Sequence, residues 1–439
     1  MLAAVLIFIA ACLLLILGVL YLPKLHLGRL TLDSYWIPPL VGAVLALSLG
    51  LCDTGAVGAA LISDSAVNPI KILVLFLSMT VLSVFLDEQG FFRYLAAAVL
   101  RRARGGQRRL FLILYLTVAV LTVFTSNDVI ILSFTPFICY FAKNASIDPM
   151  PYLAAEFVAA NTWSMALVIG NPTNIYLATA AGVDFVSYLR VMLLPTLLAG
   201  SVGFLVLYRI YRTRLRHRML ARVEPERVED PLLLTVGLLH LAACTLLLAV
   251  GSYIGLEMWL VALGSVLSLF LFVGVISLIR RRPPRALAAS LARAPWPLIP
   301  FVLSMFVLIL VLGEVGITEL MAEWLAPLPP IPAYGVLSFL ASNLVNNIPM
   351  SVLFSGILSA GEAGMGGMYA TVIGSNIGAF LTPIGAFLTP IGALAGIMFG
   401  TILRRHGHAF GYREFLKLGV AVAIPSLLAA LFGLFLVLP

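Results

Sequence analysis

Ser126-Asn127-Asp128 and Gly170-Asn171-Pro172-Thr173-Asn174 interrupt two apolar stretches in the first half of the chain. Asn346-Asn347-Ile348-Pro349 and the run from Thr382-Pro383-Ile384-Gly385 to Thr389-Pro390-Ile391-Gly392 interrupt two more in the second half. Backbone exposed to lipid cannot leave its N–H and C=O groups unpaired, so broken helices survive only where they line a cavity or another helix. Paired breaks in the two halves of a membrane protein point to the substrate site of a secondary transporter.

Composition agrees with this reading. Of 439 residues, 62% are hydrophobic and 10% charged, and the mean hydropathy is +1.10. A soluble domain is nearer a quarter charged, and repeated apolar segments of about 20 residues read as membrane spans. The net charge of +8 does not signal nucleic acid, because the Arg and Lys residues gather in short segments between apolar runs, as in cytoplasmic loops. The first twenty residues carry no basic n-region, so a cleaved signal peptide is not expected. Cys12, Cys52, Cys139 and Cys244 show no paired spacing and read as small core residues.

Charge placement then draws the topology. The basic segments 93–109, 209–227, 280–293 and 404–417 are assigned to the cytoplasm, and the acidic loops 53–68 and 314–323 to the outside. Spans at 2–22, 35–52 and 70–87 start from an outside N-terminus. Residues 110–143 are too few for two full crossings and a turn, and predict a re-entrant hairpin tipped by Asn127-Asp128. A broken span follows at 151–183, and 188–208 returns to the basic linker 209–230. The second half repeats the plan inverted: spans 231–250, 257–279 and 297–313, a hairpin 332–358, a broken span 367–402, and a last crossing at 416–437 that leaves the C-terminus outside. Pro172 follows Asn127 by 45 positions and Pro390 follows Asn346 by 44. The expectation is an all-α polytopic protein with about ten transmembrane helices and two re-entrant hairpins, built as a 5+5 inverted repeat of 1–208 and 231–439.

With Ser342-Asn343-Leu344-Val345 ahead of Asn346-Asn347, and Gly374-Ser375-Asn376-Ile377-Gly378 ahead of Leu-Thr-Pro-Ile-Gly, these motifs resemble the ion transporter superfamily. Within it the chain is most similar to the arsenical-pump membrane proteins and their sodium/proton antiporter and citrate-permease relatives, from about residue 35 onward. The resemblance implies a scaffold domain and a transport domain that carries the hairpin tips and helix breaks between the membrane faces. In the dicarboxylate branch the tips read Ser-Asn-Thr, whereas here they read Ser-Asn-Asp and Val-Asn-Asn. That departure argues against a sodium-coupled dicarboxylate carrier.

The residues themselves carry the chemistry. Half-helix ends around one point offer N–H groups and a partial positive charge, or carbonyls for a cation. Asn side chains add a donor and an acceptor each. The substrate candidates are Asn127, Asn171, Thr173, Asn174, Asn346, Asn347, Asn376, Thr382 and Thr389, although helix capping is an equal alternative for any single Asn. Gly170, Pro172, Pro383, Gly385, Pro390 and Gly392 keep the breaks open. Asp128 is the candidate coupling site, since a carboxylate deep in the membrane is costly unless protonated or paired; its bland reading is a helix cap. Glu156 is a second candidate, with a place at the membrane interface as its bland reading. Asp87 and Glu88 are expected to pair with the adjacent basic segment.

Other features weigh less. Phe-Leu-Thr-Pro-Ile-Gly-Ala stands twice, at 380–386 and 387–393, and the spacing favours the second copy. Asn144-Ala145-Ser146 is a sequon on the cytoplasmic side, and Arg216-His217-Arg218, His406 and His408 read as solvated loop. The stretches 91–100 and 317–325 are amphipathic and suit the membrane surface.

Three function classes follow: a proton-coupled exporter of arsenite or antimonite, a sodium/proton antiporter or organic-anion permease, and an intramembrane enzyme. The last is disfavoured, because no His-Glu-x-x-His, Gly-x-Ser-x-Gly or paired membrane aspartates occur. No Walker lysine motif occurs, so any ATPase would be a separate subunit. Cys139 lies eleven residues past Asp128, ~16 Å along a helix, which argues against thiol capture of arsenic. Expected partners are a small inorganic solute, protons and membrane lipid, with a second copy of the chain as an option; no cofactor, metal or nucleic acid is expected.

Overall fold

The computed structural model describes residues 1–22, 24–27, 30–63, 68–216, 219, 228–345, 347–378, 403 and 412–438. The helix α1 (Leu2–Tyr21) leads into a two-stranded antiparallel ribbon, β1 (Lys24–Leu27) and β2 (Leu30–Asp33), between the first two expected spans. α2 (Ile37–Ser48) starts on two prolines, tolerated there because first-turn N–H groups have no intrahelical partner. Asp53 caps α3 (Thr54–Ile62), and Asn68 caps α4 (Pro69–Glu88) through Ile70 N and Lys71 N.

From α4 onward one order of elements occurs twice. α4 ends at Gly90, whose left-handed φ of 76° turns the chain into the amphipathic α5 (Phe91–Ala103). Then come α6 (Gln107–Phe124), α7 (Asn127–Asn144), α8 (Met150–Trp163), α9 (Pro172–Ala180) and α10 (Phe185–Tyr211). α11 (Pro231–Gly251), α12 (Met258–Ile279) and the short α13 (Arg285–Arg293) intervene. The order resumes with α14 (Leu298–Glu314), Gly316 at φ 77°, amphipathic α15 (Ile317–Leu325), α16 (Pro330–Val345), α17 (Asn347–Ala360), α18 (Gly364–Gly378) and finally α19 (Tyr412–Val437).

Seven described segments are long and apolar enough to cross a membrane by themselves: α4, α6, α10, α11, α12, Arg285–Glu314 and Lys417–Val437. α11 and α12 turn Leu239, Leu246, Leu267, Leu271 and Phe272 outward, an apolar surface suited to lipid. α4 is buried along most of its length and touches α11, α12, α13 and α14 as well as α7 and α9. α8 packs with α6 and α10, α16 with α18, and α19 with α10 and α18.

Three of the basic segments, 93–109, 209–227 and 280–293, meet at one end. Arg293 pairs with Asp87 at 2.7 Å and with Glu88, Arg280 with Asp230, Arg93 with Glu229 at 3.4 Å, and Arg214 with Asp148 at 3.0 Å. Asp87 and Glu88 thus pair with segment 280–293 rather than with the adjacent 93–109, because α13 lies against the end of α4. At the opposite end Lys71 bridges to Glu257 at 2.6 Å and lies over the Trp259 ring.

Candidate substrate and coupling site

α6 stops at Thr125, and Ser126 takes the N-cap of α7, its hydroxyl accepting from Val129 N at 3.4 Å. The cap is therefore Ser126, not Asp128. Asp128 is the second residue of α7, in its first turn, 9% exposed, and among the described residues its carboxylate accepts no hydrogen bond and meets no cation. It lies close enough to Tyr35, ahead of α2, for its charge to act on the phenol, and Tyr35 packs edge-on against Phe301 of α14 at 5.5 Å. Asp128 thus faces the seam between the α6–α10 helices and the α2–α14 pair.

The first broken helix opens earlier than its Gly-Asn-Pro sequence predicts. α8 ends at Trp163, two single 3-10 turns cover Ser164–Ala166 and Val168–Gly170, and Asn171 caps α9 with Pro172 in its first turn. The break therefore runs from 164 to 171. Gly170 is required by space: a Cβ there would stand 2.1 Å from Ser164 O. On the other side, a Cβ on Gly374 or Gly378 would stand 2.0 or 2.2 Å from the hydroxyls of Ser338 and Ser342, so α18 lies almost backbone to backbone on α16.

Between these elements the Asn side chains meet. Asn376 of α18 accepts from Asn171 Nδ2 at 3.1 Å, and its own Nδ2 donates to Asn174 Oδ1 at 2.7 Å and to Val372 O at 2.9 Å. The Ser164 hydroxyl lies 3.0 Å from Asn376 Oδ1 and 2.8 Å from Asn161 O, and its single proton serves one of them at a time. Asn174 Nδ2 donates to Ser164 O and Leu167 O, carbonyls freed by the break. Asn171 Oδ1 accepts from Thr173 N. Asn127 donates to Asn161 Oδ1 at 3.2 Å.

Hydrogen-bond accounting divides the predicted residues. Asn376 has both donors engaged, and Asn174 has both donors and one acceptor position engaged. The Thr173 hydroxyl is buried without a partner, and the Asp128 carboxylate accepts no hydrogen bond among the described residues. Asn347, 4% exposed, starts α17. Asn346, Thr382, Pro383, Gly385, Thr389, Pro390 and Gly392, with the second break, lie outside the described residues. Glu156 is in the interior and not at an interface: it is fully buried, with Oε1 accepting from Thr135 Oγ1 at 2.9 Å.

Asn161 and Ser164 escaped the sequence reading. Their signal was Asn161-Thr162-Trp163-Ser164, a polar run inside an apolar stretch ahead of the Gly-Asn-Pro break. Among the described residues no Arg, Lys or His takes part in this network, and no group of three His, Cys, Asp or Glu could hold a metal ion.

Residues 7–373 match the citrate transporter family, CitMHS. The arsenical pump membrane protein of Escherichia coli (strain K12) is 28% identical over 420 residues, which cover 90% of this chain and 91% of that protein. The silicon efflux transporter LSI3 of Oryza sativa subsp. japonica is 29% identical over 200 residues, 43% of this chain and 41% of its own length. In overall fold the chain is similar to the crystal structure of the Alcanivorax borkumensis YdaH transporter, with a TM-score of 0.57 at 18% identity over 99% of this chain and 98% of that one.

Proposed function

This chain belongs to the CitMHS citrate transporter family of multi-pass membrane transporters, and we propose that it exports a small uncharged hydroxide, arsenite or antimonite, in exchange for protons. One observation carries this reading: a buried, Asn-rich site that holds no cation among the described residues, bordered by one unengaged carboxylate, Asp128. A citrate trianion would call for cationic partners, and among the described residues the site offers amides and hydroxyls instead. Arsenite is largely an uncharged trihydroxide at neutral pH, and such a solute needs donors and acceptors in equal measure. The relatives named for arsenical pumping and for silicon efflux fit that chemistry, since silicic acid is also an uncharged hydroxide.

Roles follow from place and partners. Asn376, Asn174 and Asn171, bonded to one another, hold the break of the first half against α18, while Asn127 and Asn347 at the starts of α7 and α17, and Thr173 with its unpartnered hydroxyl, face the solute. Asp128 takes up and releases the coupling proton. The repeated order of α4–α8 and α14–α18 supports an inverted repeat with re-entrant pairs α6–α7 and α16–α17. The paired glycine-hinged helices α5 and α15 join α4 and α14 to those pairs, so the α6–α10 and α16–α19 group can move against the rest. The basic end is the cytoplasmic face of the inner membrane.

Arsenite uptake into everted vesicles under an imposed proton gradient tests this. Wild type accumulates arsenite and Asp128→Asn does not. Equal uptake by the two would remove Asp128 from coupling, and an absence of arsenite uptake in vesicles that move citrate would overturn the substrate.

A further inference from the structure

Beyond the tip carboxylate, the interior holds a second acid that the hydrogen-bond network does not use. Glu156 sits on α8 with no exposed surface. Its Oε1 accepts one hydrogen bond, from Thr135 of α7, and its Oε2 is buried without a partner. Structural acids in membrane helices normally pair with a cation or with several donors. Here one neutral hydroxyl is the sole hydrogen-bond partner among the described residues.

The charged and titratable groups on the surrounding elements leave it unneutralised. They are Asp128, Cys139, Tyr140 and Lys143 on α7, Arg108, Arg109 and Tyr115 on α6, Tyr188, Arg190, Tyr208, Arg209 and Tyr211 on α10, Tyr369 on α18, and Tyr152 on its own helix. Of these, Cys139 lies close enough for its charge to interact with that of Glu156. Tyr115 is committed to Gly200 O, at 2.7 Å.

Position gives the group a purpose. Asp128 and Thr135 are seven residues apart and so share one face of α7, with ~10 Å between them along the axis. On α8, Tyr152 and Glu156 are four residues apart and share a face. The Tyr152 hydroxyl donates to Gln107 Oε1 at 3.0 Å, and Gln107 opens α6 next to the arginines of the basic end. Glu156 therefore stands between the tip of α7 and the basic end, with polar groups on either side along the α7–α8 seam.

We propose that Glu156 is a second proton-binding site, exchanging its proton with water at the basic end along the Tyr152–Gln107 side of α8. The O–H bond forms and breaks at Oε2, with water as acceptor and donor, and no electrons move. This rests on the proton-coupled reading above and adds a store between Asp128 and the basic end.

Infrared difference spectra of the intact protein in lipid, recorded across a pH series, test it without any solute. A protonated carboxylic acid has a carbonyl band that shifts in D2O. The expected result is a pH-sensitive, D2O-sensitive band that is lost in Glu156→Gln and retained in Asp128→Asn. Should Glu156→Gln fail to fold, Glu156→Asp keeps the acid and moves the band instead. A Glu156 band that stays constant over the whole series, or no band dependent on Glu156, overturns the proposal. The vesicle assay distinguishes the two failures: a carrier that ignores the proton gradient but keeps a titrating Glu156 band refutes coupling and leaves this site standing.

Discussion

Replacing Asn376 by alanine should cost folding stability before it touches any solute contact. The substitution strands Asn171 Nδ2, 3.1 Å away, and Asn174 Oδ1, 2.7 Å away, in a fully buried site. In a soluble core each orphan would cost about 1–3 kcal/mol. Interhelical hydrogen bonds in membranes average nearer 0.6 kcal/mol and reach about 1.7, because the unfolded chain in lipid also finds partners. Two such bonds set the expected loss at about 1–3 kcal/mol. The assay is reversible unfolding in mixed micelles of Asn376→Ala, Asn174→Ala and the double variant. Since both side chains belong to one network, their effects should fall short of additive by at least about 0.5 kcal/mol. An Asn376→Ala protein as stable as wild type, or strictly additive losses, would refute the view that these amides fasten the two halves together.

Other expectations are simpler to read. Gly170→Ala should abolish folded protein in the membrane, since its Cβ would overlap Ser164 O, while Gly264→Ala, with open space around it, should be silent in the same expression assay. Gly200→Ala should destabilise through overlap with the Trp163 indole at 2.6 Å, and trimming with Trp163→Phe in the same chain should recover part of the melting temperature. Burial works against ionisation of Asp184, yet hydrogen bonds from Ser187 and from Val186 N hold its carboxyl below the usual range. Its contribution is therefore present above the unfolded pKa and lost as pH falls through the folded one. Asp184→Asn should flatten the acid side of the stability profile measured by thermal melts. Arg293→Ala should loosen α13 from α4 and raise amide exchange there, by removing the partner of both Asp87 and Glu88.

The sequence already showed the parts whose cause is local. Gly170, Asn171 and Pro172 announce the end of a helix by backbone chemistry, and the amphipathic α5 and α15 by their periodicity. The start of the break at Ser164 was hidden, because Met165 to Ile169 reads as continuous apolar helix and only the packing of Gly170 against Ser164 O opens it. The partners of Asp87 and Glu88 depend on where α13 docks, which is a tertiary fact. Glu156 looked like an interfacial residue because it is near a helix start. Its burial comes from α6, α7 and α10 closing around α8. The Asn cluster was visible as a set, but which amides bond to one another needed the distances.

The most direct measurement is proton movement in proteoliposomes loaded with arsenite and placed in arsenite-free medium. Arsenite leaving by exchange should draw protons in, seen as internal acidification, with none in citrate-loaded vesicles or in Asp128→Asn. Citrate-driven proton movement with no response to arsenite would contradict the central claim that this carrier handles an uncharged hydroxide.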